Sequence, residues 1–72
     1  MKDENKYTKQ KVERLDIPIS QIDILKQNKI QTLGELCKYS KTDLKEMNID
    51  VKYINKIQIE LQLLGLNIKG GS

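Results

Sequence analysis

The chain has 72 residues, enough for one small domain whose folding buries only about 60% of the surface of the unfolded chain. It contains no Trp, Phe or His, and its apolar residues are mostly Ile and Leu, so nothing marks the aromatic platform on which single-strand nucleic-acid binders stack bases. Thirteen Lys and Arg against ten Asp and Glu give a formal net charge of +3, which suits a nucleic acid or an acidic protein as partner without proving either.

The same composition argues against catalysis and against membranes. Cys37 is the only cysteine and histidine is absent, so an internal disulfide, a common zinc site and a histidine-activated thiol are all excluded, and we interpret Cys37 as a small core residue. No apolar run reaches the roughly 18 residues of a membrane span, and the N-terminus lacks the apolar region of a signal peptide. We therefore expect a cytoplasmic non-enzyme with no cofactor, metal, membrane or small-molecule partner.

The N-terminal third combines a polar arm with a first helix. Residues 1–10 are charged and polar and predict a flexible arm or the end of a linker, residues 11–69 form the domain, and residues 70–72 are an appended linker outside the fold. Pro18 disfavours helix at Ile17, so the first helix is expected at or just after Pro18 and runs to about Asn28. Ile22 and Leu25 are its inward pair.

Two short helices follow. Thr32 and Glu35 have the spacing of a capping box, which starts the second helix, and Ser40 with Asp43 is a looser version that opens a third helix to about Met47. Such brief helices are stable only when other helices hold their apolar faces.

A tight turn and the longest helix complete the predicted domain. Asn48 tolerates a left-handed backbone and Asp50 is a candidate N-cap worth about 1 kcal/mol. The fourth helix is predicted from about Val51 to Leu64, with Gly65 as its stop and a buried face made of Val51, Ile54, Ile57, Leu61 and Leu64. Ile59 and Leu63 lie off that face and are either covered by Val12 and Leu15 or form a partner patch; in so small a domain we favour cover. The fold class predicted is all-α, a compact four-helix domain.

The order of these parts resembles the C-terminal domain of the bacterial RNA polymerase alpha subunit. The resemblance covers about residues 12 to 68 and is carried by Thr32-Leu33-Gly34-Glu35-Leu36, by Asn48 before the turn, and by the Leu64-Gly65-Leu66 close. It implies a compact four-helix domain with a helix-hairpin-helix-like turn on a flexible linker. It also implies binding to the minor groove of A·T-rich promoter DNA and contacts with sigma factor and activators.

Most of the family's DNA-contacting positions are substituted in this protein. The arginine at the start of the first helix falls on Ser20, the asparagine one turn later on Asp23, the glycine of the hairpin turn on Asp50, and the serine after it on Tyr53. The asparagine before the turn is kept as Asn48 and the lysine after it as Lys52, while Lys45 matches a basic position in some members. Asp16 keeps an acidic character where the family approaches sigma factor, although Arg14 replaces an acid nearby.

These substitutions predict altered DNA binding. Losing an arginine from a narrow A·T minor groove removes a charge and a groove contact, and an error at one such position costs about 1–3 kcal/mol. Several lysines could still form a weak phosphate-binding surface, or they could simply be solvent-exposed residues on the outside of the helices. They are Lys26, Lys29, Lys45, Lys52 and Lys56. We expect weak, salt-sensitive DNA binding with little A·T preference.

Two function hypotheses remain. The first is a transcription module that docks on the DNA backbone, on RNA polymerase, sigma factor or a regulator, or on both DNA and such a protein. The second is a protein-recognition domain on the same scaffold that has lost DNA binding and uses Ile59 and Leu63 or the acidic face of the first helix. The resemblance also predicts that Ser20, Asp23 and Asp50 share one surface.

Overall fold

The described part of the protein, residues 6–70 of a computed structural model, contains helices joined by short turns. Two single-turn 3₁₀ helices, Lys6–Lys9 and Val12–Arg14, precede four α-helices. These are α1 (Ile19–Gln27), α2 (Leu33–Leu36), α3 (Lys41–Glu46) and α4 (Val51–Leu63). Only isolated bridges, and no strand, occur among the described residues, which confirms the all-α prediction.

The two shortest α-helices each begin with a capping box, in which two residues exchange side-chain-to-backbone hydrogen bonds. The Glu35 N–H donates to Thr32 Oγ1 at 3.3 Å, and the Thr32 N–H donates to Glu35 Oε1 at 3.2 Å. Ser40 and Asp43 exchange the same pair of bonds, both at 3.1 Å. Both predicted capping boxes are therefore confirmed, and each satisfies N–H groups at the helix start that have no partner within the helix.

Three of the α-helices end in the same way. At each end a residue with left-handed backbone is followed by an apolar residue whose N–H donates to a leucine carbonyl five positions earlier. The left-handed residues are Lys29 (φ 65°), Asn48 (φ 73°) and Gly65 (φ 79°). The closing bonds run from Ile30 to Leu25 at 2.9 Å, from Ile49 to Leu44 at 3.2 Å and from Leu66 to Leu61 at 2.7 Å. Asn48 and Gly65 confirm the sequence prediction, whereas Lys29 was not anticipated.

The core is aliphatic and draws on every α-helix. Its fully buried members include Leu25, Leu33, Leu36, Leu44, Ile54, Ile57 and Leu61, joined by Val12 and Ile30 from the connecting segments. The predicted place of Val51 in this core is wrong, since its side chain is 47% exposed. Each three-residue step along a helix turns the side chain back by roughly 60°, so two such steps carry Val51 about 120° from Ile57 and out of the core face.

The N-terminal segment is attached to the start of α2. The Val12 N–H donates to Gln31 O at 3.0 Å and the Leu33 N–H donates to Gln10 O at 2.8 Å, as neighbours in an antiparallel bridge. The Lys6–Lys9 turn packs beside α2, where a Cβ added to Gly34 would lie 3.0 Å from Thr8 O. Residues 6–9, for which the sequence predicted no regular structure, thus form a 3₁₀ turn. The predicted arm at residues 1–5 and linker at residues 71–72 lie outside the described residues, and the domain boundaries stay a prediction.

The predicted cover over Ile59 and Leu63 is also wrong. Their side chains are 58% and 80% exposed, whereas Val12 and Leu15 are buried in the main core. The bridge to Gln31 holds Val12 beside α2, and Val12 and Leu15 both contribute to the core instead of covering this face of α4.

Candidate nucleic-acid interface

The first turn of α1 meets the turn before α4. Gln21 Oε1 lies 3.4 Å from the Asp50 backbone N, a long hydrogen bond that joins positions 29 apart in sequence. Ser20 and Asp23 are exposed on the same helix, one on each side of Gln21 in sequence. The two segments that the resemblance assigns to DNA are therefore neighbours, while the action of Ser20, Asp23 and Asp50 as one DNA face stays a prediction.

Asp50 closes the N-terminus of α4. Its Oδ1 accepts the Lys52 N–H at 3.0 Å, and its carbonyl accepts the N–H groups of Tyr53 at 2.9 Å and Ile54 at 3.0 Å. Asp50 is thus the N-cap that the sequence predicted. Its carboxylate occupies the position at which a phosphate oxygen would otherwise approach the helix N-terminus.

Three of the candidate DNA-binding residues lie around this turn. Asn48 is exposed at its left-handed corner, Lys45 is exposed on α3 before it, and Lys52 is exposed in the first turn of α4. Lys52 Nζ lies 5.1 Å from the centroid of the Tyr53 ring, so a cation–π contact orients this ammonium group. The half-buried Tyr53 ring thus contacts the neighbouring ammonium group from the position at which the resemblance predicts a serine.

The other candidate lysines lie further from this turn, along α1 and α4. Lys26 is five positions from Gln21, roughly 140° around α1, and forms an ion pair with Glu13. The Lys26 ammonium group holds the pKa of the Glu13 carboxyl below its usual value. Lys56 Nζ lies 3.1 Å from Asp16 Oδ2. Lys29 is exposed at the left-handed end of α1.

The candidate protein-contact residues lie along α4 and beside it. The Asp16 N–H donates to Glu60 Oε2 at 3.0 Å, so α4 holds the segment before α1 at two points, through Glu60 and Lys56. Ile59 and Leu63 are exposed on the same helix. Asp16 is therefore a neighbour of this helix face, and its carboxylate already has a cationic partner.

Sequence reasoning missed Gln21 and Glu60, which connect these segments. Both are ordinary polar residues, and no local pattern indicates that the first reaches Asp50 or that the second reaches Asp16. A surface groove of about 400 Å³ lies elsewhere, lined by Ser40, Lys41, Thr42, Gln58, Ile68, Lys69 and Gly70. It includes none of the predicted site residues.

Cys37 ends α2 and packs, half-buried, against the core. Burial raises the pKa of its thiol, which keeps the sulfur protonated and poorly nucleophilic at neutral pH. Among residues 6–70 no cluster of three or more metal-ligating side chains occurs, and no helix there is long and apolar enough to cross a membrane.

Fold and site together define a small helical domain, with a helical hairpin turn set against its first helix. The model of the family described as the C terminal domain of the alpha chain of bacterial RNA polymerase matches residues 1–63, and the protein belongs to this family. The DNA-directed RNA polymerase alpha subunits of Corynebacterium glutamicum strain R and Corynebacterium efficiens are each 37% identical to it over 59 residues. That alignment covers 81% of this chain and 18% of each relative. The predicted resemblance is thereby confirmed, and the chain spans less than a fifth of the length of these relatives.

Proposed function

We propose that this protein is a transcription module that docks, without catalysis of its own, on the DNA backbone and on RNA polymerase or its regulators. The observation that carries the proposal is the contact between Gln21 and Asp50 in a member of this family. It brings the start of α1 to the turn that precedes α4, the two segments through which the resemblance predicts DNA contact.

The DNA contact we propose is electrostatic and weak. Lys45 and Lys52 flank the exposed turn and supply positive charge, while Asp50 places a carboxylate within the turn itself. Lysine meets phosphate as a point charge and does not offer the planar fork with which arginine recognises a base edge. Binding therefore depends on phosphates and changes little with base sequence.

A second candidate function is protein recognition alone. The observation that favours it is the exposure of Ile59 and Leu63. Two large aliphatic side chains on the outer face of one helix can pack against the surface of a partner protein.

The test is fluorescence-anisotropy titration of A·T-rich and mixed-sequence duplexes at several salt concentrations. We expect affinity to fall steeply with salt, because each phosphate contact releases a counterion, and the two duplexes to bind alike. Lys52→Ala should reduce the slope of log affinity against log salt by about 1. Lys41→Ala removes the same charge from the start of α3 and serves as the matched control.

Three outcomes would count against this mode. A tenfold or greater preference for A·T-rich DNA that depends on Ser20 or Asp23 would show groove recognition. Equal effects of Lys52→Ala and Lys41→Ala would show that only net charge matters, and absence of binding at low salt would favour the protein-recognition function.

A further inference from the structure

The outer face of α4 carries one line of exposed residues with a basic half and an apolar half. The line consists of Lys52, Lys56, Ile59 and Leu63, and we call it the α4 stripe. Its spacing of four, three and four residues keeps these side chains on one side of the helix over about 16 Å.

The α4 stripe faces away from the core. Ile54, Ile57 and Leu61 fill the opposite face of the helix and are fully buried. Within residues 6–70 nothing covers Ile59 and Leu63, which remain 58% and 80% exposed, because Val12 and Leu15 are directed into the core. Two adjacent aliphatic side chains thus face solvent on a rigid helix, where burial under a partner would remove them from water.

The charges beside these aliphatic residues indicate the chemistry of the occupant. Both charged members of the stripe are lysines. Lys56 lies about one turn and Lys52 about two turns before Ile59. The acid on the flank, Glu60, accepts the Asp16 N–H at 3.0 Å, and the Asp16 carboxylate is 3.1 Å from Lys56 Nζ. Such an exposed ion pair is weak and is readily exchanged for another carboxylate.

We propose that the α4 stripe binds an acidic amphipathic helix of a protein partner. Leucine-like side chains of that helix pack on Ile59 and Leu63, and carboxylates one or two turns along it meet Lys56 and Lys52. The inference rests on the proposed function in placing the partner in the transcription machinery, and it names the chemistry by which that partner is recognised.

A second copy of this protein fits the stripe poorly. Parallel packing of two α4 helices would place lysine against lysine. Antiparallel packing of Ile59 on Leu63 of the second copy would place Lys56 opposite residue 66 of that copy. This position lies beyond the end of α4 at Leu63, and the sequence has no Asp or Glu in this region to pair with the lysine. DNA matches only the basic half, since phosphates gain nothing from aliphatic side chains.

Lys52 belongs both to this stripe and to the turn proposed for DNA. A helix bound along the stripe therefore contacts the same Lys52 ammonium group as DNA, and the two ligands compete. Leu63 separates them, because it lies about three turns from Lys52 and serves only the helix.

The probe is a synthetic helix-forming peptide of about 18 residues, with Leu at four-residue spacing and Glu one turn further along the same face. It is titrated into ¹⁵N-labelled protein without DNA. We expect amide shifts concentrated between residues 52 and 63 and at least tenfold weaker binding by Leu63→Gln, because a buried leucine contributes more than the 1.4 kcal/mol that corresponds to a factor of ten. Val51→Gln changes another exposed aliphatic residue of α4, outside the stripe, and should bind like the parent.

The controls separate this inference from DNA binding. Leu63→Gln should leave DNA affinity unchanged, whereas Lys52→Gln should weaken both ligands. A thermal midpoint and amide spectrum close to those of the parent confirm that each variant is folded, as expected for side chains this exposed.

Three results would overturn the proposal. One is equal binding of a peptide in which Lys replaces every Glu. Another is unchanged peptide affinity in Leu63→Gln together with Ile59→Gln. A third is concentration-dependent broadening of stripe signals without peptide that Leu63→Gln abolishes, which would identify a second copy as the occupant. None of these would alter the salt dependence of DNA binding, so the proposed function stands or falls separately.

Discussion

Lys29 holds a backbone conformation that lysine seldom adopts. Its φ of 65° places it in the left-handed region, where the Cβ of an L-residue crowds the following carbonyl at a cost of about 1–2 kcal/mol. The strain persists because the Ile30 N–H reaches Leu25 O at 2.9 Å and Ile30 is fully buried. The equivalent positions after α3 and α4 have Asn48 and Gly65, residues better suited to this conformation.

We predict that Lys29→Gly stabilises the domain by about 0.5–1 kcal/mol. Glycine relieves the left-handed strain but loses more backbone entropy on folding, so only part of the strain energy is recovered. Urea denaturation monitored by circular dichroism measures the change. Lys45→Gly, which places glycine inside α3, is the control and should destabilise the domain by about 1 kcal/mol. A destabilised Lys29→Gly would mean that the lysine side chain stabilises the fold by more than its backbone strain costs.

At the scale of the element, α2 and α3 are too short to be stable by themselves. They have four and six residues, and their starts depend on the carboxylates of Glu35 and Asp43. The backbone N–H groups of Gln31 and Thr32 lower the pKa of the Glu35 carboxyl, because both donate to its ionised form. The N–H and hydroxyl of Ser40 lower the pKa of Asp43 in the same way.

We therefore predict a loss of stability in acid. A carboxyl group with a lower pKa in the folded state stabilises that state above its ordinary pKa, near 4.5 for Glu and 3.8 for Asp, and this contribution is lost as pH falls through the folded value. Thermal midpoints should fall as pH is lowered from about 5 to 3. Glu35→Gln should make the thermal midpoint depend less on pH, because the amide oxygen of Gln can accept the same hydrogen bonds without titrating.

Glu46→Gln provides the matched comparison, since it neutralises an exposed acid at the far end of α3 and leaves both caps intact. Its acid profile should stay close to that of the parent. If the two variants have the same profile, the pH dependence originates outside the capping boxes.

At the scale of the whole molecule, the approach of α1 to the α4 turn leads to a gain-of-function prediction. Ser20→Arg, Asp23→Asn and Asp50→Gly together raise the net charge by three, restore a groove-entering cation and free the Lys52 N–H that Asp50 now binds at 3.0 Å. Affinity for A·T-rich DNA should rise by more than the three single changes predict, because all three groups would engage one ligand. The loss of stability should be below about 1 kcal/mol, since glycine is a tolerated N-cap.

A charge-matched triple variant distinguishes geometry from net charge. Gln27→Lys, Thr42→Lys and Gln62→Lys add the same three charges at exposed positions away from the Gln21–Asp50 contact. This control should bind all duplexes more tightly without acquiring an A·T preference. If the test variant behaves like the control in anisotropy titrations, Ser20, Asp23 and Asp50 do not act as one DNA face.

The sequence predicted features that depend on a few consecutive residues. The two capping boxes, the N-cap Asp50 and the left-handed Asn48 and Gly65 are fixed within four or five positions, and all are present. The errors at Ile59 and Leu63 arose because their cover depends on where a distant segment packs. At the candidate site the contact of Gln21 with Asp50 spans 29 positions, and nothing local in the sequence specifies it.

The bridge between the N-terminal segment and the start of α2 has a mechanical consequence. Tension applied ahead of Lys6, directed away from α2, would extend the Lys6–Lys9 turn first and then load the 2.8 Å bond from Leu33 N–H to Gln10 O. The 3.0 Å bond from Val12 N–H to Gln31 O carries load only after the first has opened, because the two strands of an antiparallel bridge peel from one end. Under tension the N-terminal segment can therefore lengthen by several residues through local unfolding. Only after that does the force act on buried Val12 and on the helices that it packs against.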